Sequence, residues 1–293
     1  MEIIYDDITE HYFDEIDKIL SNKSTYYHSF DIPKRSGGKR HISEPLNELK
    51  HIQKILYSEI FYPKKYLIHK CAYAYVPGRS IDDCVNRHIG KHIVLKLDIK
   101  SFFSSITKNH IYDSFLYAFR MDEATAKNVT ELCTFNGVLP QGAVTSPILS
   151  NYVCRILDKR LYEYCEKRHI AYSRYADDLI FSGDFDTDAL LRYASWALRD
   201  YYDFKINYSK LKIMKSYQRQ VVLGLSVNQC CRLTKEKRHE PRQTLYYIRK
   251  YGLNDFLTHT GCDLDSLKGY VNYAAHVSNE PDLCELQKLL FKQ

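Results

Sequence analysis

The sequence lacks the features that would assign it to several common protein classes. No apolar run in its 293 residues reaches ~18, so we expect no membrane-spanning helix. The nine cysteines form no Cys-x-x-Cys pair, which argues against a zinc site, and their scattered placement predicts free thiols in a reducing cytoplasm. The first 20 residues are acidic and amphipathic, so we expect no secretory signal.

Two short motifs that bind phosphate or calcium are also missing. Gly38-Lys39 is not a Walker loop, because no glycine stands at the required distance before it and no Ser or Thr follows the lysine. An Asp-x-Asp-x-Asp run at 184–188 imitates a calcium loop, yet Ala189 stands where glycine is needed. We therefore predict that these acids cap a helix over 187–202.

Tyrosine is abundant, at 26 of 293 residues, and the net charge is modestly positive at +6. Tyrosine rings stack on bases and cations neutralise phosphates, so the combination favours a nucleic-acid partner, although we expect most of the tyrosines to be half-buried. The length suggests roughly two domains. Helical and strand patterns alternate without a βαβ period, which predicts the α+β class.

Two adjacent acids lie in a predicted hairpin. Tyr175-Ala176-Asp177-Asp178 stands between the strand-like runs 171–174 and 179–182. Like charges side by side raise each other's pKa, and a divalent metal removes that cost. The acidic pairs at 6–7 and 82–83 are instead expected to begin helices. The hairpin is therefore a candidate metal site.

A third acid ends a predicted buried strand. The apolar run 93–99 contains Asp98, and an isolated buried carboxylate is costly unless it is paired or metal-bound. If this strand lies beside the hairpin, Asp98 and Asp177 supply carboxylates from neighbouring strands, as a two-metal site with ions ~4 Å apart requires. The alternative is a hydrogen-bonded structural Asp.

Two further segments have the composition of nucleotide-binding loops. The small residues of Leu139-Pro140-Gln141-Gly142 permit close backbone approach, and Gln141 can hydrogen-bond a base or sugar edge. The alternative is a loop that caps a helix over 147–169. Residues 32–45 carry four cations around Gly37-Gly38, and such a basic hairpin suits a triphosphate or a phosphate backbone.

The order of these segments resembles the palm of reverse transcriptases over nearly the whole chain. It runs basic hairpin, Asp strand, Pro-Gln-Gly loop with Ser146-Pro147, and Tyr-x-Asp-Asp hairpin. Other segments resemble further family motifs. They are Ala74-Tyr75-Val76-Pro77-Gly78-Arg79-Ser80-Ile81 upstream of the palm, Asn207-Tyr208-Ser209-Lys210 as Asn-x-x-Lys, and Val222-Leu223-Gly224-Leu225-Ser226-Val227 as the primer-grip hairpin. The resemblance implies a right-hand polymerase with fingers, a palm with an antiparallel sheet and a short helical thumb.

Among bacterial families the chain looks most like the retron type, in its size and its short basic C-terminal region. Retrons carry Asn-Ala-x-x-His before the first Asp strand, of which this chain keeps His88 in register. They read Val-Thr-Gly where this chain has Val222-Leu223-Gly224. The implied domains are an N-terminal helix and fingers at 1–97, a palm at 98–228 with a helical fingers insertion near 109–140, and an RNA-binding thumb at 229–293.

Carried over by position, the resemblance implies a two-metal mechanism. Asp98 and Asp177 would bind two Mg²⁺ ions, with Asp178 as an outer or alternate ligand. Phe103 stands where the family places an aromatic sugar gate that favours dNTPs; plain core packing is its alternative, and Phe102 is the better core residue. The other implied dNTP-binding residues are Arg40, Lys34, Gln141, Gly142 and Lys210.

Primer and RNA contacts are implied chiefly beyond the palm. Tyr175 would pack beneath the primer end, and Gly224 would belong to the primer grip. Cations of the thumb would follow the duplex backbone, with a solvated helix face as the alternative. These cations are Lys235, Lys237, Arg238, Arg242, Arg249 and Lys250. We hypothesise that Tyr246 and Tyr247 hold a structured RNA.

The implied function is synthesis of cDNA on a dedicated structured non-coding RNA, within an anti-phage defence system. Two alternatives stay open. One is another defence-associated or group II intron-like reverse transcriptase, including one that works without a template. The other is an RNA–DNA scaffold that restrains an effector protein. No membrane partner is expected.

Overall fold

The computed structural model describes residues 8, 11–34, 37–278 and 280–291. The chain divides into two compact units. Unit 1 comprises Met1–Arg79, Leu95–Phe181 and Phe185–Lys212, and unit 2 comprises Ser80–Val94, Ser182–Asp184 and Ile213–Gln293. This division follows contacts in space, and the three consecutive domains implied by the family resemblance stay a prediction. The acidic pair at 6–7 lies outside the described residues.

Helices surround the core of unit 1, and apolar spacing predicts most of them. The helix expected over 147–169 is interrupted at Cys154, whose ψ of 0° does not continue an α-helix. The helix Asn47–Ile55 continues as a π-helix from Leu56. The helical segments are Phe13–Ser21, Lys23–Tyr26, Asn47–Ile55, Leu56–Phe61, Tyr62–Leu67, Phe102–Ser105, Lys108–Asp113, Ser114–Ala118, Glu123–Cys133, Ser146–Val153, Arg155–Glu166, Thr187–Tyr202 and Tyr208–Lys210.

Three small sheets contain the described strands, in the orders β1-β2, β4-β5-β3-β6 and β7-β8-β9. Numbered along the chain, the strands are β1 (Tyr27–Pro33), β2 (Lys39–Pro45), β3 (Ile93–Asp98), β4 (Ala171–Tyr175), β5 (Asp178–Gly183), β6 (Lys212–Lys215), β7 (Val221–Val222), β8 (Leu225–Ser226) and β9 (Arg232–Leu233). The central strands β3 and β5 are mostly buried, as their continuous apolar runs predict. The edge strand β6 is short, with four residues.

The predicted basic hairpin is present as the antiparallel pair β1-β2, in which Tyr27 faces Pro45 and Pro33 faces Lys39. Gly37 and Gly38 form its turn with φ values of 84° and 77°, a left-handed conformation that glycine adopts without strain. Arg35, one of the four cations of this segment, lies outside the described residues.

Unit 2 ends in a helical region, which confirms the helical reading of the C-terminal segment. Its helices are Ile81–Asn86, Lys235–Tyr251, Leu253–Thr260, Leu264–Ser278 and Pro281–Phe291. A small apolar core joins the last of them, built from Leu245, Ile248, Leu267, Val271, Leu286 and Leu290. Within the described part of the chain, every helix is too short or too polar to span a bilayer.

Helix caps explain two acidic runs that imitate metal sites. Asp186 accepts the N–H groups of Asp188 and Ala189 at 2.9 and 3.1 Å, so this run begins a helix, as predicted. Ser80 and Asp83 form a reciprocal capping box at the start of Ile81–Asn86, which confirms the reading of the 82–83 pair.

Candidate active site

The three singled-out aspartates lie at the adjoining ends of two neighbouring strands. Asp98 is the last residue of β3, and Asp178 is the first residue of β5. The Ile99 N–H donates to the Asp177 carbonyl at 3.0 Å, so the turn before β5 lies against the end of β3. This is the neighbouring-strand arrangement that the sequence pattern predicts.

Two lysines contact these carboxylates. Lys210 Nζ lies 2.7 Å from Asp98 Oδ2, and Lys96 Nζ lies 3.6 Å from Asp178 Oδ2. Asn207 donates to Asp98 twice, from its side-chain amide to Oδ1 at 3.1 Å and from its backbone N–H to the carbonyl at 2.8 Å. Both named residues of the Asn-x-x-Lys motif therefore bind the first aspartate, because the short helical turn Tyr208–Lys210 directs them to it.

Burial and neighbouring like charges raise the pKa values of Asp177 and Asp178. Burial, with Asp178 and Asp98 nearby, raises the pKa of Asp177 to about 6. Burial also raises the pKa of Asp178, while Lys96 opposes the rise. The hydrogen bond to Asp98 raises the pKa of Lys210 and keeps this lysine charged. The site therefore holds more negative charge than its own cations balance.

The donor set fits a hard divalent cation. Among the residues that the structure describes, no three His, Cys, Asp or Glu side chains converge as a finished metal site. The available ligands are nonetheless all carboxylate oxygens, which Mg²⁺ prefers, and the raised pKa values of Asp177 and Asp178 mark a place where added positive charge is favourable. Metal binding by Asp98, Asp177 and Asp178 stays a prediction.

A buried ion pair that was not predicted from the sequence supports the turn that carries Asp177. The Arg174 guanidinium donates to both Asp158 oxygens, from Nε at 2.8 Å and from Nη2 at 2.6 Å, and both side chains are fully buried. Its Nη1 donates to the Ala176 carbonyl at 3.1 Å. Ala176 has a φ of 55°, so this bond holds a left-handed residue directly before Asp177. The available signal was a charged residue inside an otherwise strand-like run.

The two aromatic residues after Asp98 differ in burial. Phe102 is buried, with 4% of its surface exposed, which confirms its role as the core member. Phe103 is half-buried and packs at the edge of the core. Its ring centroid lies 6.3 Å from that of Tyr75, a residue that the sequence analysis quoted only as part of a motif. Whether Phe103 gates the sugar stays a prediction.

The Pro-Gln-Gly loop packs against the basic hairpin. The Ser43 N–H donates to the Gln141 carbonyl at 2.7 Å. Gly142 has a φ of 119°, and a Cβ there would lie 2.9 Å from Ile42 Cγ2 and 3.0 Å from the Ser43 carbonyl. The close approach of the hairpin therefore favours glycine at position 142, because a Cβ there would clash with the hairpin. The hairpin cations Lys34 and Arg40 are exposed.

In unit 2 the predicted primer-grip segment forms the short hairpin β7-β8. Leu223 and Gly224 make its turn with φ values of 49° and 82°. A Cβ at Gly224 would lie 2.9 Å from Lys237 Nζ, so the turn and this thumb cation are neighbours. His88 is buried and shares a 2.7 Å hydrogen bond with Ser182 Oγ, and burial lowers its pKa to about 3.

The predicted thumb residues lie along the helix Lys235–Tyr251. Arg238 and Arg242 pair with Glu280 at 3.0 and 3.5 Å, and Arg249 pairs with Glu285. These three arginines therefore have partners within unit 2. All members of the set except Arg238 are nonetheless exposed, including Arg242 and Arg249. Lys250 lies 5.8 Å from the Tyr246 ring centroid, in cation–π contact.

Solved structures resemble the fold. An apo telomerase from Candida tropicalis matches with a TM-score of 0.56 and 14% identity, over 91% of this chain and 56% of that one. A Candida albicans telomerase in complex with a TWJ fragment of telomeric RNA matches with a TM-score of 0.55 and 11% identity, over 90% of this chain and 60% of that one. At these identities the likeness concerns the fold alone, and it confirms the α+β right-hand polymerase class.

Sequence comparison identifies the family. The model described as "Reverse transcriptase (RNA-dependent DNA polymerase)" matches residues 32–233. The retron Mx65 reverse transcriptase of Myxococcus xanthus is 34% identical over 265 residues, 84% of this chain and 61% of the relative, so the chain spans about three fifths of that protein. The retron Ec83 reverse transcriptase of Escherichia coli is 30% identical over 291 residues, 93% of this chain and 89% of the relative. The chain therefore belongs to the reverse transcriptase family, and within it to the retron type.

Proposed function

We propose that this protein is an RNA-directed DNA polymerase that copies a dedicated structured non-coding RNA into cDNA in the cytoplasm. One observation carries the proposal. Asp98 and the Asp177-Asp178 turn lie at adjoining strand ends, with Lys210 bound to Asp98 at 2.7 Å. Phosphoryl transfer needs such a set of oxygens beside a cation, because the reaction is catalysed by positioning and charge neutralisation.

The residues of the site have separate tasks in this reaction. Two Mg²⁺ ions held by Asp98 and Asp177, with Asp178 beside them, would make the primer hydroxyl more acidic and neutralise the triphosphate. Lys210, kept charged by Asp98, would neutralise the departing pyrophosphate. Arg40 and Lys34, both exposed on the hairpin, would bind the triphosphate, and Phe103 would exclude a ribose 2′-OH.

A structured RNA is the partner that the surface of unit 2 favours. Tyr246 and Tyr247 are 58% and 47% exposed on the thumb helix, and base stacking on such rings is sequence-tolerant. The relatives are named as retron reverse transcriptases, and one telomerase neighbour is in complex with an RNA fragment. A defence role with an effector protein rests on the retron resemblance.

Cysteine usage supports the cytoplasmic setting. The chain has nine cysteines, and five of them are buried: Cys71, Cys84, Cys133, Cys154 and Cys165. Burial raises the pKa of the Cys133 thiol to about 12, so this thiol stays protonated and unreactive. Scattered cysteines with buried, protonated thiols such as that of Cys133 are typical of proteins kept in a reducing compartment.

Primer extension on an RNA template with dNTPs and Mg²⁺ tests the proposal. The double variant Asp177→Asn, Asp178→Asn should lose DNA synthesis by ~10³-fold or more, since both carboxylates act on the same reaction. RNA affinity, measured by filter binding, should stay within ~2-fold. Asp184→Asn is the matched control, because this exposed acid lies six residues beyond the turn. Persistent synthesis by the double variant would refute the site.

The same assay separates the alternative functions. Synthesis that continues after the RNA is removed indicates a template-independent polymerase. RNA binding without any synthesis by the wild-type protein indicates a scaffold.

A further inference from the structure

Tyr75 lies in a segment that is fastened to the strand before the catalytic turn. The Tyr73 N–H donates to the Arg174 carbonyl at 2.9 Å, and the Arg174 N–H donates to the Cys71 carbonyl at 2.7 Å. Asn151 Nδ2 donates to the Ala74 carbonyl at 2.8 Å. The backbone just before Tyr75 is therefore held by hydrogen bonds to Arg174 and to Asn151.

The same buried guanidinium fixes the catalytic turn and the Tyr75 segment. Arg174 Nη1 binds the Ala176 carbonyl, one residue before Asp177, and its Nη2 binds Asn151 Oδ1 at 2.9 Å. Asn151 in turn binds the Ala74 carbonyl, one residue before Tyr75. A chain of hydrogen bonds thus sets the position of Tyr75 relative to Asp177.

Although its backbone is fixed, the Tyr75 ring is not used for core packing. The residue has a φ of 62°, which is uncommon for a bulky residue and is found mainly where function holds it. Its surface is 45% exposed, and its ring lies 6.3 Å from Phe103 at a tilt of 53°. Burial and the negative charge of Asp177 raise its pKa, while Arg40 opposes the rise, so its hydroxyl is within electrostatic range of both residues.

We propose that Tyr75 forms the second wall of the nucleotide site, with its ring packed against the sugar of the incoming deoxynucleoside triphosphate opposite Phe103. The inference rests on the proposed function. We assign the rings to the sugar because the phosphates of the nucleotide would lie against the carboxylates and Arg40. The sugar is the group next to the phosphates, so it would lie between the rings of Tyr75 and Phe103. Tyr75 is thus a substrate-contacting residue that acts on binding.

Steady-state incorporation of a single dNTP on a primed RNA tests this role. Tyr75→Ala should raise KM for the dNTP by about tenfold, equivalent to about 1.4 kcal/mol, with kcat within ~3-fold of wild type. Tyr75→Phe keeps the ring and should stay within ~2-fold in KM. Tyr117→Ala is the control, because this tyrosine is 77% exposed and distant in sequence from the site residues.

Coupling to Phe103 gives a second readout. If both rings contact one sugar, Tyr75→Ala and Phe103→Ala should be non-additive in their effects on KM. Tyr75→Leu keeps apolar bulk for folding but lacks the flat ring. If the alanine variant does not fold, this variant must show the raised KM.

The outcomes distinguish the two proposals. Wild-type protein without RNA-templated incorporation would overturn the proposed function. Normal wild-type incorporation, together with an unchanged KM in Tyr75→Ala and Tyr75→Leu, would overturn only the role of Tyr75. A loss of kcat at unchanged KM would overturn it as well, because a wall for the sugar acts on nucleotide binding.

Discussion

The buried Arg174–Asp158 pair allows a sharp test of how the catalytic turn is held. Asp158→Asn removes the charge while keeping the shape of the side chain. It leaves a fully buried guanidinium without its counter-ion, and breaking a buried pair in this way costs about 3–5 kcal/mol. Because the amide oxygen still accepts one hydrogen bond, we expect a loss near the lower figure, about 3 kcal/mol.

The same helix provides a matched control. Glu163 forms an (i, i+4) pair with Lys159 in which both side chains are exposed, and such pairs contribute about 0.3–0.5 kcal/mol. Glu163→Gln should therefore change the free energy of unfolding by less than about 0.5 kcal/mol. Burial is the main difference between the two changes, since each replaces a paired acid by its amide.

Urea unfolding followed by tryptophan fluorescence measures the difference. The chain has one tryptophan, Trp196, on a helix of unit 1, so its emission reports the unit that contains the buried pair. The midpoint should fall clearly for Asp158→Asn and hardly at all for Glu163→Gln. Equal midpoints for the two variants would refute the reasoning that the buried pair holds this unit together.

Three further outcomes are expected. The folded-state pKa of His88, about 3, lies below its ordinary value of 6.5, so the unfolded chain takes up a proton first and stability is lost as pH falls below 6.5. Lowering the pH from 7.5 to 5 should therefore reduce the free energy of unfolding by about 2 kcal/mol in urea melts. His88→Asn should flatten this pH dependence. Gly142→Ala should destabilise the protein by about 2–4 kcal/mol, because its Cβ would meet the hairpin backbone. Gly269→Ala, in open space on a helix, should stabilise it by about 0.5–1 kcal/mol. Similar urea melts for the two variants would contradict this. Replacing Tyr246 and Tyr247 by Ala should weaken RNA binding by ~10-fold or more, and unchanged affinity in filter binding would exclude a stacking role.

The sequence predicted those features of the site that depend on local pattern. The acids at 98 and 177–178 could be found because buried apolar strands rarely contain carboxylates without a reason. These acids come together because the hairpin pairs with the strand that carries Asp98. Recognising one hairpin and one strand was therefore enough to predict that they are neighbours. The hairpin turn at Gly37-Gly38 and the cap at Asp186 are likewise local and were confirmed.

Long-range contacts could not be predicted in this way. Arg174 meets Asp158 and Asn151 across 16 and 23 positions of sequence, and nothing in a single sequence states that a helix lies beneath that strand. The thumb arginines show the same limit. Their charges suggested a nucleic-acid surface, but Glu280 and Glu285 come close to them only in the folded helices.

The proposed function depends on the Asp98–Asp177–Asp178 site copying a bound RNA into DNA. The most direct measurement is sequencing of the nucleic acid that co-purifies with the protein, from the wild type and from the Asp177→Asn, Asp178→Asn variant. We expect cDNA complementary to one structured RNA with the wild type, and the same RNA without DNA with the variant. DNA that is equally abundant in both preparations, or RNA without any DNA in the wild type, would contradict it.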